Sequence, residues 1–270
     1  MTPRRHHTFI LVLLGCLVAA DAARADWTLY LSAEFGIAKG LVEADGTSTV
    51  AGLGALDFSY DDASPLVGGA FGVEIPMNEL TPWDLPYDLK LPKWAMRFEF
   101  EAVGLRRYPG IGTSFGSQAA FAETDAWTFM FDYWQDVPLG TLNRPIAAMF
   151  GKVPSFLRRT LNNTSFFAGA GVGFSSLDLK FADSFHTASD ETYNFAWQAG
   201  GGFGYALTKA ATLTAGYRYF DYGEAETDLV DSAGTVRGPF SLRQTSHEFR
   251  AGIRVRIWGF GNPWEKGPAS

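Results

Sequence analysis

The chain has 270 residues, with 22 lysines and arginines against 29 acids, a net charge of −7, 15% aromatic residues and 30 glycines. An acidic balance argues against nucleic acid as a partner. No segment carries the ~18 uninterrupted apolar residues of a spanning helix, and glycine stands well above its usual ~7%.

Residues 1–25 read as a cleaved secretory signal. Arg4 and Arg5 form a basic start, Phe9 to Ala20 an apolar run, and Ala23-Arg24-Ala25 a small-x-small cleavage site. A lipoprotein signal at Cys16 is the rival reading, and the apolar run continues past Cys16 to the better-formed site. Cleavage after Ala25 removes the one cysteine, so the mature chain, with a net charge of −9, forms no disulfide.

The remainder alternates with the period of two that marks strands. Trp27, Leu29, Leu31, Ala33, Phe35 and Ile37 oppose Thr28, Tyr30, Ser32, Glu34 and Gly36. A second strand, about 66–75, sets Val67, Phe71, Val73 and Ile75 against Gly68, Ala70, Gly72 and Glu74, and Pro76 stops it. Met77 to Pro92, with three further prolines, is poorly suited to a ladder. A third strand sends Trp94, Met96, Phe98 and Phe100 outward and Arg97, Glu99 and Glu101 inward. A fourth sends Trp127, Phe129, Phe131 and Tyr133 outward, with Asp132 and Trp134 opposite.

Between them and the second half lies 137–164. Within it, Ala147 to Leu161 has apolar residues near helical spacing and two arginines, Arg158 and Arg159. It reads either as a short interfacial helix on the inner leaflet or as an ordered connection with one helical turn, since Pro154 interrupts it. The fifth strand, SFFAGAGVGF, puts Gly169, Gly171 and Gly173 on one face, making room for large neighbours. Asn194 to Tyr222 is a hairpin reversing near Thr208-Lys209, with Phe203 and Tyr217 on its bulky face and Arg218 on the other. His247 to Trp258 closes the series, with Phe249, Val255 and Ile257 outward and Glu248, Arg250, Arg254 and Arg256 inward.

A bulky face opposite a small polar face suits lipid outside and a crowded lumen inside. The expected fold is all-β: a transmembrane antiparallel up-and-down barrel of about eight strands over 26–258, in the cell outer membrane, with a periplasmic tail 259–270. Trp94, Phe98, Phe129, Phe131, Phe203 and Tyr217 are the expected lipid contacts. Glu34, Glu74, Glu99, Glu101, Asp132 and Glu248 meet Arg97, Arg218, Arg250, Arg254 and Arg256 in an expected luminal ion-pair network.

Connection lengths set the expected orientation. With periplasmic termini, the outside loops become 39–64, 107–125, 182–193 and 223–243, at net −10. The inner segments 76–93, 136–164, 208–210 and 259–270 carry net +3. Two of these inner connections are long for such a barrel.

FAGAGVGF, FAWQAGGGFGYAL and AGYRYFDYG, closing on HEFRAGIRVRI, resemble the small outer-membrane β-barrel superfamily of opacity proteins, surface antigens and the outer-membrane protein A barrel. The resemblance covers about 165–258. It implies an assembly signal in the last strand, carried by Arg250, Gly252, Val255 and Ile257 and read by the barrel-assembly machinery. It specifies a barrel strongly and an activity hardly at all.

Chemistry-bearing motifs are few. Some outer-membrane barrels are lipid hydrolases, yet Ser246, His247 and Glu248 are adjacent on a strand and point to alternate faces. His186 with Asp183, Asp190 and Glu191 reads as a solvated acidic loop rather than a metal site. The GAGVG and GGGFG runs lie within strands and so lack the strand-to-helix context of a nucleotide loop. The expectation is a barrel with no enzymatic role, no cofactor and no metal, serving structure or surface interaction. Its partners are outer-membrane lipid, lipopolysaccharide and an extracellular ligand met by acidic loops. A small-solute pore and a lipid-modifying enzyme are the alternatives.

Overall fold

The computed structural model describes residues 27–50, 52–77, 94–115 and 118–259. The signal segment, the tail beyond Gly259 and nearly all of 76–93 lie outside them. Eight strands run in chain order: β1 Thr28–Ser48, β2 Gly54–Pro76, β3 Ala95–Ser114, β4 Gln118–Pro138, β5 Thr164–Ala182, β6 His186–Ala206, β7 Ala211–Asp231 and β8 Val236–Gly259. Each is antiparallel to its neighbours. β8 returns to β1, from Thr28 opposite Gly259 to Gly46 opposite Phe240, and closes the ring.

The strands hold 19 to 24 residues, about twice what crossing a bilayer requires. The four expected outer loops are therefore largely strand. The ladder continues through 39–48 and 54–64, 107–114 and 118–125, and 186–193, and 223–231 pairs with 236–243. The reason is visible in β5. Phe166, Val172 and Phe174 face out from its lower half, whereas Ser176, Asp178 and Lys180 face out from its upper half. Inside, Gly169, Gly171 and Gly173 give way to buried Leu177, Leu179 and Phe181. Polarity inverts along the strand while the period of two persists.

The other staves repeat the inversion. On β1, exposed Leu31, Phe35, Ile37 and Leu41 are followed by Glu43 and Asp45, while Val42 and Ala44 turn into the core. On β8, read upward, outward Ile257, Val255, Ile253 and Phe249 give way to Arg243, and inward Arg250 and Glu248 to Leu242 and Phe240. The upper half encloses one apolar cluster that includes Leu56, Phe58, Leu177, Phe181, Leu229, Phe240 and Leu242. Burial of these side chains is what allows the ladder to persist outside a membrane.

β5 is glycine-rich because β4 is not. Gly169, Gly171 and Gly173 pair with Trp134, Asp132 and Met130. A Cβ on Gly171 would lie 1.7 Å from Oδ1 of Asp132, and one on Gly169 would lie 2.7 Å from the Trp134 ring. β3 carries one irregularity, a register shift between Val103 and Arg106, where Leu105 takes φ 63°. The extra residue sends Leu105 to the outside and Arg106 into the lumen.

The β4–β5 connection is a 3-10 turn, Leu139–Leu142, then α1 Asn143–Phe150 and α2 Ser155–Asn163. Gly151, at φ 77°, ends α1 with its N–H on the Ala147 carbonyl at 2.8 Å, and extended Pro154 precedes α2.

Candidate functional site: the ion-paired lumen and the outer rim

Period two on a closed sheet converges every second side chain on one axis. In a ring of eight strands that axis is narrow enough for side chains to fill it. The charged residues on it meet in three tiers. In the lowest, Arg256 donates to Glu74 at 2.8 Å, while Arg97 and Arg254 share Asp136 Oδ2 at 2.7 and 3.3 Å. Arg97 also pairs with Glu99, which accepts the Tyr30 hydroxyl at 2.6 Å.

The middle tier is the densest. Arg218 donates to both oxygens of Glu101, at 2.7 and 2.8 Å, and through its other nitrogen to Glu34 at 3.0 Å. Arg250 reaches Glu101 at 2.8 Å, Glu34 at 3.3 Å and Glu248 through two nitrogens at 2.8 and 2.5 Å. Gln198 donates to Asp132 Oδ1 at 2.6 Å, and the Arg218 guanidinium lies 4.7 Å over the Trp134 ring. Asp132 has no arginine within ion-pair distance, and its Oδ2 has no hydrogen-bond partner among the described residues.

The upper tier belongs to Arg106. Its Nε lies 2.9 Å from Glu248, its Nη1 donates to Thr128 at 2.7 Å, and its plane covers Phe220 and Tyr222 at 4.9 and 5.4 Å. The planar fork of arginine suits this combination of bidentate bonding and stacking. The apolar cluster begins immediately above.

All eleven residues expected in the lumen face it. Ten bury at least 86% of their side chains, and Arg256 is 27% exposed at the lower end. Sequence reasoning missed Arg106, Asp136, Tyr30, Gln198 and Tyr222. Strand parity would have found Tyr30 and Gln198, but Arg106 turns inward only because of the bulge at Leu105. Of the expected lipid contacts, Phe129, Phe131, Phe203 and Tyr217 are exposed on the outer wall. Phe98 packs there between Phe131 and Tyr133, and Trp94 is half-buried just before β3. On β8, Arg250 and Gly252 face inward, and Val255 and Ile257 face outward.

Ser246 and Glu248 are luminal and hydrogen-bonded to each other at 3.1 Å, whereas His247 is outside against the Tyr217 hydroxyl at 2.5 Å. The three do not converge. His186, expected in a solvated loop, instead opens β6 and is buried beneath the upper mouth. Its Nε2 lies 2.8 Å from Ser48 Oγ and its Nδ1 3.3 Å from Asp183 Oδ1, and Ser114 donates to Asp183 at 2.9 Å. This has the order of a nucleophile, a base and an acid. However, the imidazole is sealed from solvent, Ser48 Oγ already accepts the Val50 N–H at 3.1 Å, and Asp183 caps the β5–β6 turn. The geometry is that of a tie across β1, β3 and β6. Asp190 and Glu191 are exposed and bond elsewhere, to Thr192, Ser176 and Tyr193. Among the described residues no three histidines, cysteines or acids are grouped to hold a metal ion.

A closed ring of eight antiparallel strands with an apolar outer belt and a charged interior pairs the backbone across the belt strand to strand, as a bilayer demands. No described helix is long and apolar enough to cross a membrane. Residues 152–254 match a family described as the outer membrane protein beta-barrel domain. This is an outer-membrane β-barrel. Solved structures similar to the chain include Neisserial surface protein A, at 18% identity over 85% of this chain and 97% of that one, TM-score 0.34. The outer membrane protease OmpT from Escherichia coli is 10% identical over 85% and 97%, TM-score 0.44. Ail, the attachment invasion locus protein of Yersinia pestis, is 10% identical over 82% and 98%, TM-score 0.29. No curated protein matches the sequence.

Proposed function

We propose that this barrel is a closed, non-conducting anchor with no enzymatic role, and that its work is structural or surface-interactive, carried by the wall that projects above the outer leaflet. The observation that carries this reading is the filling of the lumen. Among the described residues, three tiers of paired arginines and carboxylates are followed upward by a packed apolar core, a filling that argues against a continuous wet path for a solute. Desolvated ions in such a space are tolerable only when paired, and the tiers meet that condition.

In this reading the termini are periplasmic. The end formed by 39–64, 107–125, 182–193 and 223–243, at net −10, then faces outward, and a short inner turn joins β6 to β7. The acidic wall meets its partner through divalent cations bridged to lipopolysaccharide phosphates, or through a basic extracellular ligand. β8, with Val255 and Ile257 on its lipid face, is the strand presented to the barrel-assembly machinery. Planar-bilayer recording on the purified, folded protein tests the closed lumen. A quiet baseline is expected at moderate voltage and salt, and large, stable single-channel steps would replace this reading with a small-solute pore.

A further inference from the structure

The β4–β5 connection runs against the charge of the whole chain. Residues 139–163 hold Arg144, Lys152, Arg158 and Arg159 and no acid, in a protein of net charge −7. Every arginine on the strands has a carboxylate partner. Among the described residues, these four cations have none. Three of them converge: Lys152, Arg158 and Arg159, with Ser155, Asn162 and Asn163, line a groove of about 430 Å³. Lysine and arginine only donate, so with the hydroxyl and amides beside them they make a receptor for an oxyanion.

The same two helices turn large apolar side chains away from the protein. Met149, Phe150 and Phe156 are 75%, 74% and 73% exposed. They stand on the connection that leaves β4 at Pro138 and enters β5 at Thr164, the end of two strands whose outward-facing residues include Tyr133 and Phe166. Apolar side chains beside unpaired cations, at the edge of a bilayer, are the composition of an interfacial helix seated at headgroup depth.

We propose that α1 and α2 form a headgroup clamp. Met149, Phe150 and Phe156 enter the acyl boundary, and Lys152, Arg158 and Arg159 hold the phosphate of an anionic phospholipid in the inner leaflet. The leaflet rests on the orientation proposed above; the ligand chemistry does not. Charge complementarity selects the occupant, because a zwitterionic headgroup brings its own ammonium to a groove that already has three cations.

The test uses the full mature chain folded in detergent, with native mass spectrometry after addition of phosphatidylglycerol or phosphatidylcholine. Retention of phosphatidylglycerol over phosphatidylcholine is expected. Each cation removed, as in Lys152→Gln, Arg158→Gln or Arg159→Gln, should lower that affinity about fivefold. Heat-modifiable gel mobility shows that each variant has folded, and the neutral substitutions stand in for charge reversals that fail to fold. Equal retention of the two lipids, or of phosphatidylglycerol by wild type and the folded triple variant, overturns the proposal. So does displacement by millimolar inorganic phosphate, which would make free phosphate the ligand. Orientation is read separately, by labelling Thr160→Cys with a membrane-impermeant maleimide on intact cells. Labelling there overturns the inner-leaflet assignment while leaving selectivity in detergent intact. Protection from the label together with lost selectivity overturns the clamp alone.

Discussion

Two luminal charges of opposite sign have different stakes. Arg106 satisfies Glu248, Thr128 and two aromatic faces at once, so Arg106→Ala removes a buried partner and leaves a void beside Phe220 and Tyr222. Breaking a buried pair from one side costs about 3–5 kcal/mol. The variant should shift the urea midpoint of refolded protein, read by gel mobility, by a corresponding amount. Asp132 is the reverse case: buried, lacking an arginine and bonded through one oxygen. Asp132→Asn keeps an acceptor for Gln198 and discards an unpaired charge, so its midpoint should equal or exceed that of wild type. A marked loss would show that the carboxylate is needed in the tier. Outside the membrane, Asp231 closes the β7–β8 turn. The Thr235 N–H and the Arg237 guanidinium, helped by the Ala233 N–H, hold its carboxyl below the usual carboxylate range. A depressed carboxylate stabilises the turn above its unfolded value and loses that contribution as pH falls through the depressed one. An NMR titration of Asp231 should therefore find its midpoint below that of an ordinary aspartate, and a midpoint at or above that value counts against the turn geometry.

Single strands follow the same two-residue rule over very different surroundings. On β4, Phe129 stacks on Phe174 of β5 at 5.3 Å in the middle of the outer belt, and it pairs with no luminal group. Phe129→Arg should cost about 2–4 kcal/mol in a bilayer, as expected for a cation near the midplane. A free-energy change near zero in lipid vesicles would place Phe129 at an interface instead. Alternation made this belt legible in the sequence, and with it most of the middle tier, because Glu34, Glu101, Arg218 and Arg250 stand on uninterrupted period-two runs. Two kinds of feature were not legible. A bulge adds a residue without changing composition, so nothing in Val103-Gly104-Leu105-Arg106 announces that Arg106 turns inward. Above the lipid belt the bulky face becomes the inner one, so Leu177-Asp178-Leu179-Lys180 falls beyond the fifth strand as the sequence marks it, SFFAGAGVGF, although it continues β5. His186 was hidden for a third reason: its partners Ser48 and Asp183 come together only when β1 and β6 close over the mouth.

At the scale of the whole molecule, the barrel is two solvents' worth of β-structure on one set of strands. The lower half is apolar outside and ionic inside, the arrangement that lipid selects. The upper half is charged outside and apolar inside, the arrangement that water selects. Since the upper wall has its own core and each of its strands is paired along at least one edge, it should behave as folded protein rather than as a fringe of loops. Lys39, Arg107, Lys180 and Arg243 are exposed on it, with side-chain accessibilities of 53–64%, yet each sits in paired strand. Proteases need several residues of extended chain free of the ladder, and exposed loop tips are their usual entry. Trypsin added to the folded protein in detergent should therefore leave 27–259 intact at these four sites, while the heat-unfolded chain is cut at all of them. Cleavage confined to Arg144, Lys152, Arg158 and Arg159 would still agree, since those residues stand on the β4–β5 connection. Rapid cutting at Arg107 or Lys180 in the folded state would mean that the upper wall opens readily. The apolar cluster around Phe58, Phe181 and Phe240 would then not hold it, and the projecting barrel would give way to the outer loops expected from connection lengths.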